Sequence, residues 1–468
     1  MKTPSLLLAV LTVCAYCTVT SCADPERDTA ENTPRKMVLV LSIDTLRADM
    51  LGSYGATGGH TPALDSLAAK GVVFRNAIAP MATTFPSHSS MFTGLYPRAH
   101  GVRWNGDTLA EEHVTLAEIL NADGWNTGAF VSYKAMLSRG GLDQGFQKVS
   151  DEEHDPQAER VRTGKVVNEL AFDFLDKTLE ETPLKSTFLW LHYFEPHAPY
   201  PLTDYAEKAL QDYHGTLADG ADMDEFFALN KSENRSEETF SALRSLYEGR
   251  VRDADDLVKE LLDGLKERGI LDEMIILIVG DHGQLLGEHG RVGHGSILWQ
   301  EVLEVPFIVV NPHAPHIGTE DARVGVVDLT PTILDMLGMD LLSGMQGRSL
   351  MPALEGIALT EQTYFSEVRI ANPKQVRPKG QSDAVAVFSG QYKFVLNGDN
   401  ETLWDLKEDH GESAPLMPTQ FQSVVDQLIP LARFHKKMNP EALVDTPDMS
   451  EEMQQELEEL GYIGDESG

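Results

Sequence analysis

Cysteine is nearly absent from this 468-residue chain. Cys14, Cys17 and Cys22 are the only three, all within the first 22 positions. The rest of the chain therefore has no disulfide framework, no thiolate metal site and no thiol nucleophile. Positive charge is also scarce: 38 Lys and Arg stand against 73 Asp and Glu, a formal net charge of −35. That balance argues against nucleic acid as a partner, because a phosphate backbone needs clustered cations. It also repels anions at long range, so an anionic substrate must be held locally, by a metal, by histidines or by a helix N-terminus. No apolar run is long enough to span a membrane; the N-terminal run Leu6–Val13 is too short. Hydrophobic residues make up 42% of the chain and charged residues 24%, enough for a large core. The length fits two or three domains, or one large α/β domain with an appendage.

Lys2, the apolar run and the small and polar residues after it read as a signal peptide over residues 1–21. Val19-Thr20-Ser21-Cys22 resembles a bacterial lipoprotein box, with cleavage before Cys22 and lipidation of its thiol; ordinary signal cleavage near that point is the alternative. Residues 22–35 then form a lipidated tether. The expected location is the bacterial cell envelope, anchored to the membrane through Cys22 and facing the periplasm or exterior. The sequence carries no signature of an oligomeric state.

Met37–Ile43 is a continuous apolar run, as expected of a strand buried on both faces, and Asp44 follows at once. Gly128–Ser132, Phe188–Phe194, Ile275–Val279 and Val305–Asn311 read as further strands. Thr61-Pro62 opens a helix that stops at Gly71, Pro86 opens another that stops at Gly94, and Val251–Arg268 is helical up to Gly269. This alternation predicts a doubly wound α/β sheet, in which ligands sit beyond the carboxyl ends of strands. Asp44, Glu195-Pro196-His197 and Asp281-His282 all occupy that place. Residues 36–345 form the expected catalytic domain, with residues 201–250 as an excursion over its active-site face. Residues 346–440 form a small α+β subdomain. Within it Ala384–Ser389 and Tyr392–Leu396 are joined by Gly390-Gln391, a hairpin signal that points to a small antiparallel sheet. Residues 441–468 hold ten acidic residues and no Lys or Arg, and read as an acidic helix and tail.

Three groups of residues carry chemistry. Asp44, Asp281 and His282 combine carboxylates with an imidazole, a donor set that suits one divalent ion, Ca²⁺, Mn²⁺, Mg²⁺ or Zn²⁺. A single Asp after a strand is more often a cap or turn residue, but Gly280-Asp281-His282-Gly283 places two polar groups between glycines. Thr84 stands just before the first turn of the helix opened by Pro86. It is either a plain helix cap or, beside a metal, a nucleophile at an anion-binding N-terminus. The histidines His192, His197, His282, His289 and His294 fall in two short stretches. His294 lies between two glycines that permit close approach of a ligand, and His192, inside a strand, reads as structural.

Together these segments resemble the sulfatase family of the alkaline phosphatase superfamily. The likeness rests on Val38–Asp49, on Thr84-Phe85-Pro86-Ser87-His88 through Thr93-Gly94-Leu95-Tyr96-Pro97, and on Phe194-Glu195-Pro196-His197-Ala198-Pro199-Tyr200. Gly280-Asp281-His282-Gly283 through Gly290, Val327–Thr332, Tyr392-Lys393-Phe394 and Leu403–Leu406 extend it. It implies an alkaline-phosphatase-like doubly wound sheet with a small C-terminal antiparallel sheet. It also implies a metal-dependent hydrolase of phosphate or sulfate esters, acting on a small anionic ester. Asp44, Thr84, Asp281 and His282 would hold the metal. Thr84 would be the nucleophile, Asn105 would steady the non-bridging oxygens, and His197 and His294 would bind the oxyanion or protonate the leaving group. The departures are informative. Sulfatases carry Cys or Ser at the nucleophile position, oxidised to formylglycine, with Arg four residues later; here stand Thr84 and His88. Threonine cannot give that aldehyde, so the resemblance leans toward phosphodiesterases and phosphoglycerol-type transferases that use unmodified Thr. Sulfate-ester hydrolysis without formylglycine is the alternative, and a non-catalytic binding lipoprotein is a third reading.

Overall fold

The computed structural model describes residues 35–150, 161–231, 235–369 and 383–438. The signal peptide, Cys22, the tether up to residue 34 and the acidic segment 441–468 lie outside the described residues. Nine strands form the central sheet: β1 (Met37–Ile43), β2 (Val72–Ile78), β3 (Asn126–Val131), β4 (Lys148–Val149), β5 (Thr187–Tyr193), β6 (Met274–Gly280), β7 (Glu304–Val310), β8 (Gly318–Glu320) and β9 (Val324–Gly325). Their spatial order is β8-β2-β7-β6-β1-β5-β3-β4, with β9 also beside β2. β1 pairs in parallel with β5 and β6, while β7 runs antiparallel between β2 and β6. The reversal has a local cause: between β6 and β7 the helix is only Gln300–Leu303, too short to cross the sheet, so the chain re-enters at the edge it left. β2 has no clean strand signal because Arg75 and Asn76 interrupt its apolar run.

Alternation along the strands divides the core. Leu39, Leu41 and Ile43 of β1 face one apolar layer with Ile276 and Ile278 of β6. Val38 and Val40 face the other, with Phe188 and Trp190 of β5 and Phe85, Met91 and Phe92 of the helix Thr84–Thr93. That second face also carries Ser42, Asp44 and His192 by the period of two. The expected excursion over residues 201–250 is more ordered than its composition suggests. Its last part opens a 31-residue helix, Glu237–Glu267, capped by Ser236, whose hydroxyl accepts the Thr239 N–H at 3.1 Å. None of the described helices is long and apolar enough to cross a membrane.

The C-terminal sheet contains β10 (Tyr364–Val368), β11 (Ala384–Ser389), β12 (Tyr392–Asn397) and β13 (Asn400–Asp405), all antiparallel, with the helix Gln422–Lys437 packed on it. The Gly390-Gln391 hairpin forms as the sequence predicts. One buried ion cluster ties this sheet to the catalytic part. Glu367 of β10 accepts from Arg103 Nε at 2.5 Å and His435 Nε2 at 2.8 Å, and pairs with Arg98 Nε at 3.0 Å. Burial pushes its carboxyl up, but the His435 hydrogen bond and the Arg103 and Arg98 charges outweigh that and hold it down to about 2.

Removing the carboxylate leaves two nearly buried guanidinium groups with only the partly exposed Asp383 between them, so Glu367→Ala should cost about 3 kcal/mol of unfolding free energy. The depressed carboxyl stabilises the fold fully above its unfolded value near 4.5, and that stabilisation is lost as pH falls through about 2. Denaturant unfolding should therefore show the gap between wild type and variant narrowing across that window. A gap below about 1 kcal/mol at neutral pH would contradict the role given to the cluster.

Candidate active site

Register brings the two aspartates together. Ile43 of β1 lies opposite Gly280 of β6, so the residues that follow, Asp44 and Asp281, leave the sheet side by side. Both are fully buried. Asp281 Oδ1 accepts the backbone N–H groups of Thr45 at 3.0 Å and His282 at 2.7 Å. Thr45 can turn its N–H that way because its backbone is left-handed, with φ 53°. Tyr247, from the long helix, holds the turn: its hydroxyl donates to Thr45 O at 2.6 Å and accepts the Arg47 N–H at 3.1 Å. Asp281 Oδ2 has no hydrogen-bond partner among the described residues. Burial, and then the adjacent Asp44 charge, push the Asp281 carboxyl well above the usual range.

His282 completes the set. A carbonyl oxygen can only accept, so the 3.0 Å contact between His282 Nδ1 and Gly283 O places the proton on Nδ1. The Nε2 lone pair then faces Asp44 Oδ1 at 3.8 Å, Asp281 Oδ2 at 3.6 Å and Thr84 Oγ1 at 3.4 Å. Thr84 Oγ1 is 3.5 Å from Asp44 Oδ2. Donors bound about 2.1 Å from a common tetrahedral ion lie about 3.4 Å apart, so Asp44, Thr84, Asp281 and His282 fit one divalent ion. Two adjoining buried carboxylates, one with an unpartnered oxygen, and an imidazole with its lone pair turned inward form a cation site by their chemistry.

Thr84 differs in one respect from the sequence reading. It is the first residue of its helix, not the residue before it, and Thr83 is the N-cap. The helix N-terminus is also less open to an anion than expected. Phe85 N–H is taken by Asn105 Oδ1 at 2.9 Å, Pro86 has no N–H, and Ser87 N–H reaches Thr83 O at 3.2 Å. Asn105 thus anchors to the helix through its oxygen. Its buried Nδ2 has no partner among the described residues. His88, in the place of the sulfatase arginine, supplies no cation: Nδ1–H donates to Thr84 O at 2.8 Å and Nε2 accepts from Ser42 Oγ at 2.9 Å. Burial, and then His192, keep it neutral.

His197 and His294 meet, with Nε2 atoms 3.2 Å apart. His197 Nδ1 donates to Ala198 O at 2.6 Å and His294 Nδ1 to Ala82 O at 3.1 Å, so both Nε2 lone pairs point toward each other. Burial, and then the partner imidazole, push His197 down to about 3; burial, and then His282, push His294 down. The His294 ring lies over His282 at 4.4 Å, so the pair borders the cation site. His289 stands apart, stacked on Trp299 at 3.9 Å. His192, which reads as structural from its place in a strand, lies beside Asp44. It is fully buried with Nε2 3.5 Å from Asp44 Oδ2. The signal for it was a lone imidazole in an otherwise apolar buried strand, paired in register with Ser42.

The site predicts a metal-dependent thermal shift. Asp281→Asn keeps the oxygen that accepts two backbone N–H groups and removes only the charge. With an ion present at about 100-fold its Kd, wild type should gain about 2.7 kcal/mol over its chelated form, and Asp281→Asn almost none. Equal shifts in both proteins would remove Asp281 from the ligand set.

Comparison with known proteins identifies the family. The sulfatase family profile matches residues 36–339, and the profile of the N-sulphoglucosamine sulphohydrolase C-terminal region matches residues 287–457. The multifunctional alkaline phosphatase superfamily protein PehA of Trinickia caryophylli is 26% identical, over 82% of this chain and 91% of its own. An N-acetylglucosamine-6-O-sulfatase of Bacteroides thetaiotaomicron is 25% identical, over 75% of each chain. The phosphonate monoester hydrolase of Agrobacterium radiobacter has the same fold, with a TM-score of 0.68 at 19% identity, covering 90% of this chain and 99% of that one. By the extent of the family match and the fold that carries it, the chain belongs to the sulfatase family of the alkaline phosphatase superfamily, a family of ester hydrolases.

Proposed function

We propose that this protein hydrolyses small anionic phosphate or phosphonate esters through a covalent intermediate on unmodified Thr84, in a metal-dependent site formed by Asp44, Thr84, Asp281 and His282. The observation that carries this reading is the placement of Thr84 Oγ1 within 3.4–3.5 Å of the inward lone pair of His282 and of Asp44. A bound divalent ion would supply Lewis acidity, lowering the pKa of the Thr84 hydroxyl and balancing the two carboxylates. Thr84, its hydroxyl proton released to solvent, attacks in line through Oγ1, forming the bond to phosphorus as the bond to the leaving oxygen breaks. Asn105 Nδ2 donates to a non-bridging oxygen. A proton taken up by the His197–His294 pair when the anionic ester binds beside it passes to the leaving oxygen. The same pair then takes a proton from the water that splits the phosphothreonine. Transfer to an alcohol in place of water would give the transferase variant of the same chemistry.

A sulfate-ester substrate is the second reading, favoured by the sulfatases among the relatives. Phosphoryl transfer is preferred here because Thr84 cannot become formylglycine, whose hydrated aldehyde has its own route for expelling sulfate. We also propose a lipid anchor at Cys22 and a place in the bacterial envelope, on the Val19–Cys22 box alone; Cys22→Ser should release the protein from membranes, and an unchanged membrane fraction would reject the anchor.

Thr84→Ala should lower turnover by about 10³-fold or more, with substrate affinity largely kept, and Thr84→Ser should retain appreciable activity. His294→Gln should slow esters with poor leaving groups far more than aryl esters, steepening the dependence on leaving-group pKa. Parallel assays on phosphate diesters, phosphonate monoesters, phosphate monoesters and sulfate esters rank the substrates. Wild-type turnover of a sulfate ester above every phosphorus ester would favour the second reading.

A further inference from the structure

We propose that Asn230 is a positioning residue for the His197–His294 pair, acting from the helix Met223–Lys231, which touches the segments that bear both imidazoles. The inference rests on the role given above to that pair and adds the element that aligns it. The two rings come from distant parts of the chain, and their Nε2 atoms lie 3.2 Å apart. His294 stands between Gly293 and Gly295, both at φ 101°. Glycine adopts that backbone freely, so the chain around His294 has little stiffness of its own. A ring mounted in this way takes its position from what grips the chain beside it.

Asn230 grips that chain just upstream. Val292–Gly293 pairs with Leu285–Leu286 in a two-stranded ribbon, a structure too short to be firm alone. Val292 presents both of its backbone groups to Asn230. Asn230 Nδ2 donates to Val292 O at 3.0 Å, and Asn230 Oδ1 accepts the Val292 N–H at 3.0 Å. The side-chain amide thus takes both groups of an edge residue, as a further strand would. Ala82 completes the hold downstream: its carbonyl accepts the Gly295 N–H at 2.9 Å and the His294 Nδ1–H at 3.1 Å.

The same helix reaches the His197 segment. Its buried Phe226 meets Tyr200 edge-on, with ring centroids 5.4 Å apart. Tyr200 follows the turn that carries His197, and its hydroxyl accepts from Gln284 Nε2 at 3.0 Å. Tyr200-Pro201 also pairs with Gly220-Ala221, the short strand that leads into the helix. On the other side Phe226 and Phe227 lie against Gly293, where a Cβ would meet their rings at 4.0 and 3.8 Å. One helix therefore contacts the chain next to each imidazole, and a shift of that helix changes how the two rings face each other. The consequence for chemistry is selective. A misplaced pair delivers its proton poorly, which matters where the leaving oxygen needs a proton and little where it does not.

The test measures kcat and KM for wild type, Asn230→Ala, His294→Gln and the double variant, as full-length metal-loaded protein. The substrates are esters of the acid that wild type turns over fastest, with leaving groups from alkyl alcohols to nitrophenols. In Asn230→Ala, kcat should fall by about tenfold or more on alkyl esters and by about twofold or less on nitrophenyl esters, with KM little changed. In the His294→Gln background the same substitution should add about twofold or less, because the position it secures no longer carries the acid. Equal losses on every ester, or the full loss retained in the double variant, would overturn the inference and make Asn230 a residue of the fold alone. His294→Gln with no leaving-group dependence would instead overturn the role of the pair, and this inference with it. Asn230→Asp keeps an acceptor for the Val292 N–H but sets a carboxylate against Val292 O. It should show the same leaving-group split, and it serves if the alanine variant fails to fold.

Discussion

Two carboxylates leave adjacent strands at the same level, and much of the site answers to that constraint. The parallel register of β1 and β6 forces Asp44 and Asp281 together inside the protein. Two charges so placed cannot both ionise without a cation. Nearby groups spend their hydrogen-bonding capacity on holding the pair in place. The left-handed turn at Thr45 aims an N–H at Asp281, Tyr247 pins the turn, and the neutral histidines direct their protons to backbone carbonyls. The outcome is a ring of lone pairs around the site. A chain with net charge −35 thus concentrates the attraction for an anionic ester at the cation its aspartates would hold.

The C-terminal sheet has a part in this beyond completing the core. Arg103 binds Glu367 and Asp383, while Asp107 accepts the Arg103 N–H and pairs with Arg369 at 3.0 Å. The loop between Arg103 and Asp107 carries Asn105, so the sheet braces the residue proposed to meet the oxyanion. The same loop secures the helix Thr84–Thr93, since Asn105 Oδ1 occupies the N–H next to Thr84. Binding of Glu367 by His435 extends the brace into the helix Gln422–Lys437.

The strands that lead into Asp44, His197 and Asp281 were legible because a short apolar run broken at once by polar residues is the mark of a strand buried on both faces. The hairpin at Gly390-Gln391 was legible from its turn chemistry. What escaped depends on contacts between distant segments. Arg103 and Glu367 are 264 positions apart, and nothing local links them. β2 was hidden by Arg75 and Asn76, two polar residues that break its apolar run. Asn105 taking the helix N–H could not be read, because an N-terminus looks open until a side chain is seen to fill it. His192 is the sharpest case: a histidine inside a buried strand usually has a structural partner, and only the register with β1 reveals a carboxylate beside it.

The central claim is that Thr84 itself carries the transferred group, and the most direct test is to stop turnover with acid and measure the mass of the peptide containing Thr84. The account predicts a phosphoryl adduct on Thr84 with a phosphorus-ester substrate, none in Thr84→Ala, and no oxidised residue at that position before reaction. A turning-over enzyme whose Thr84 peptide never gains mass, or whose adduct lies on another residue, would contradict it.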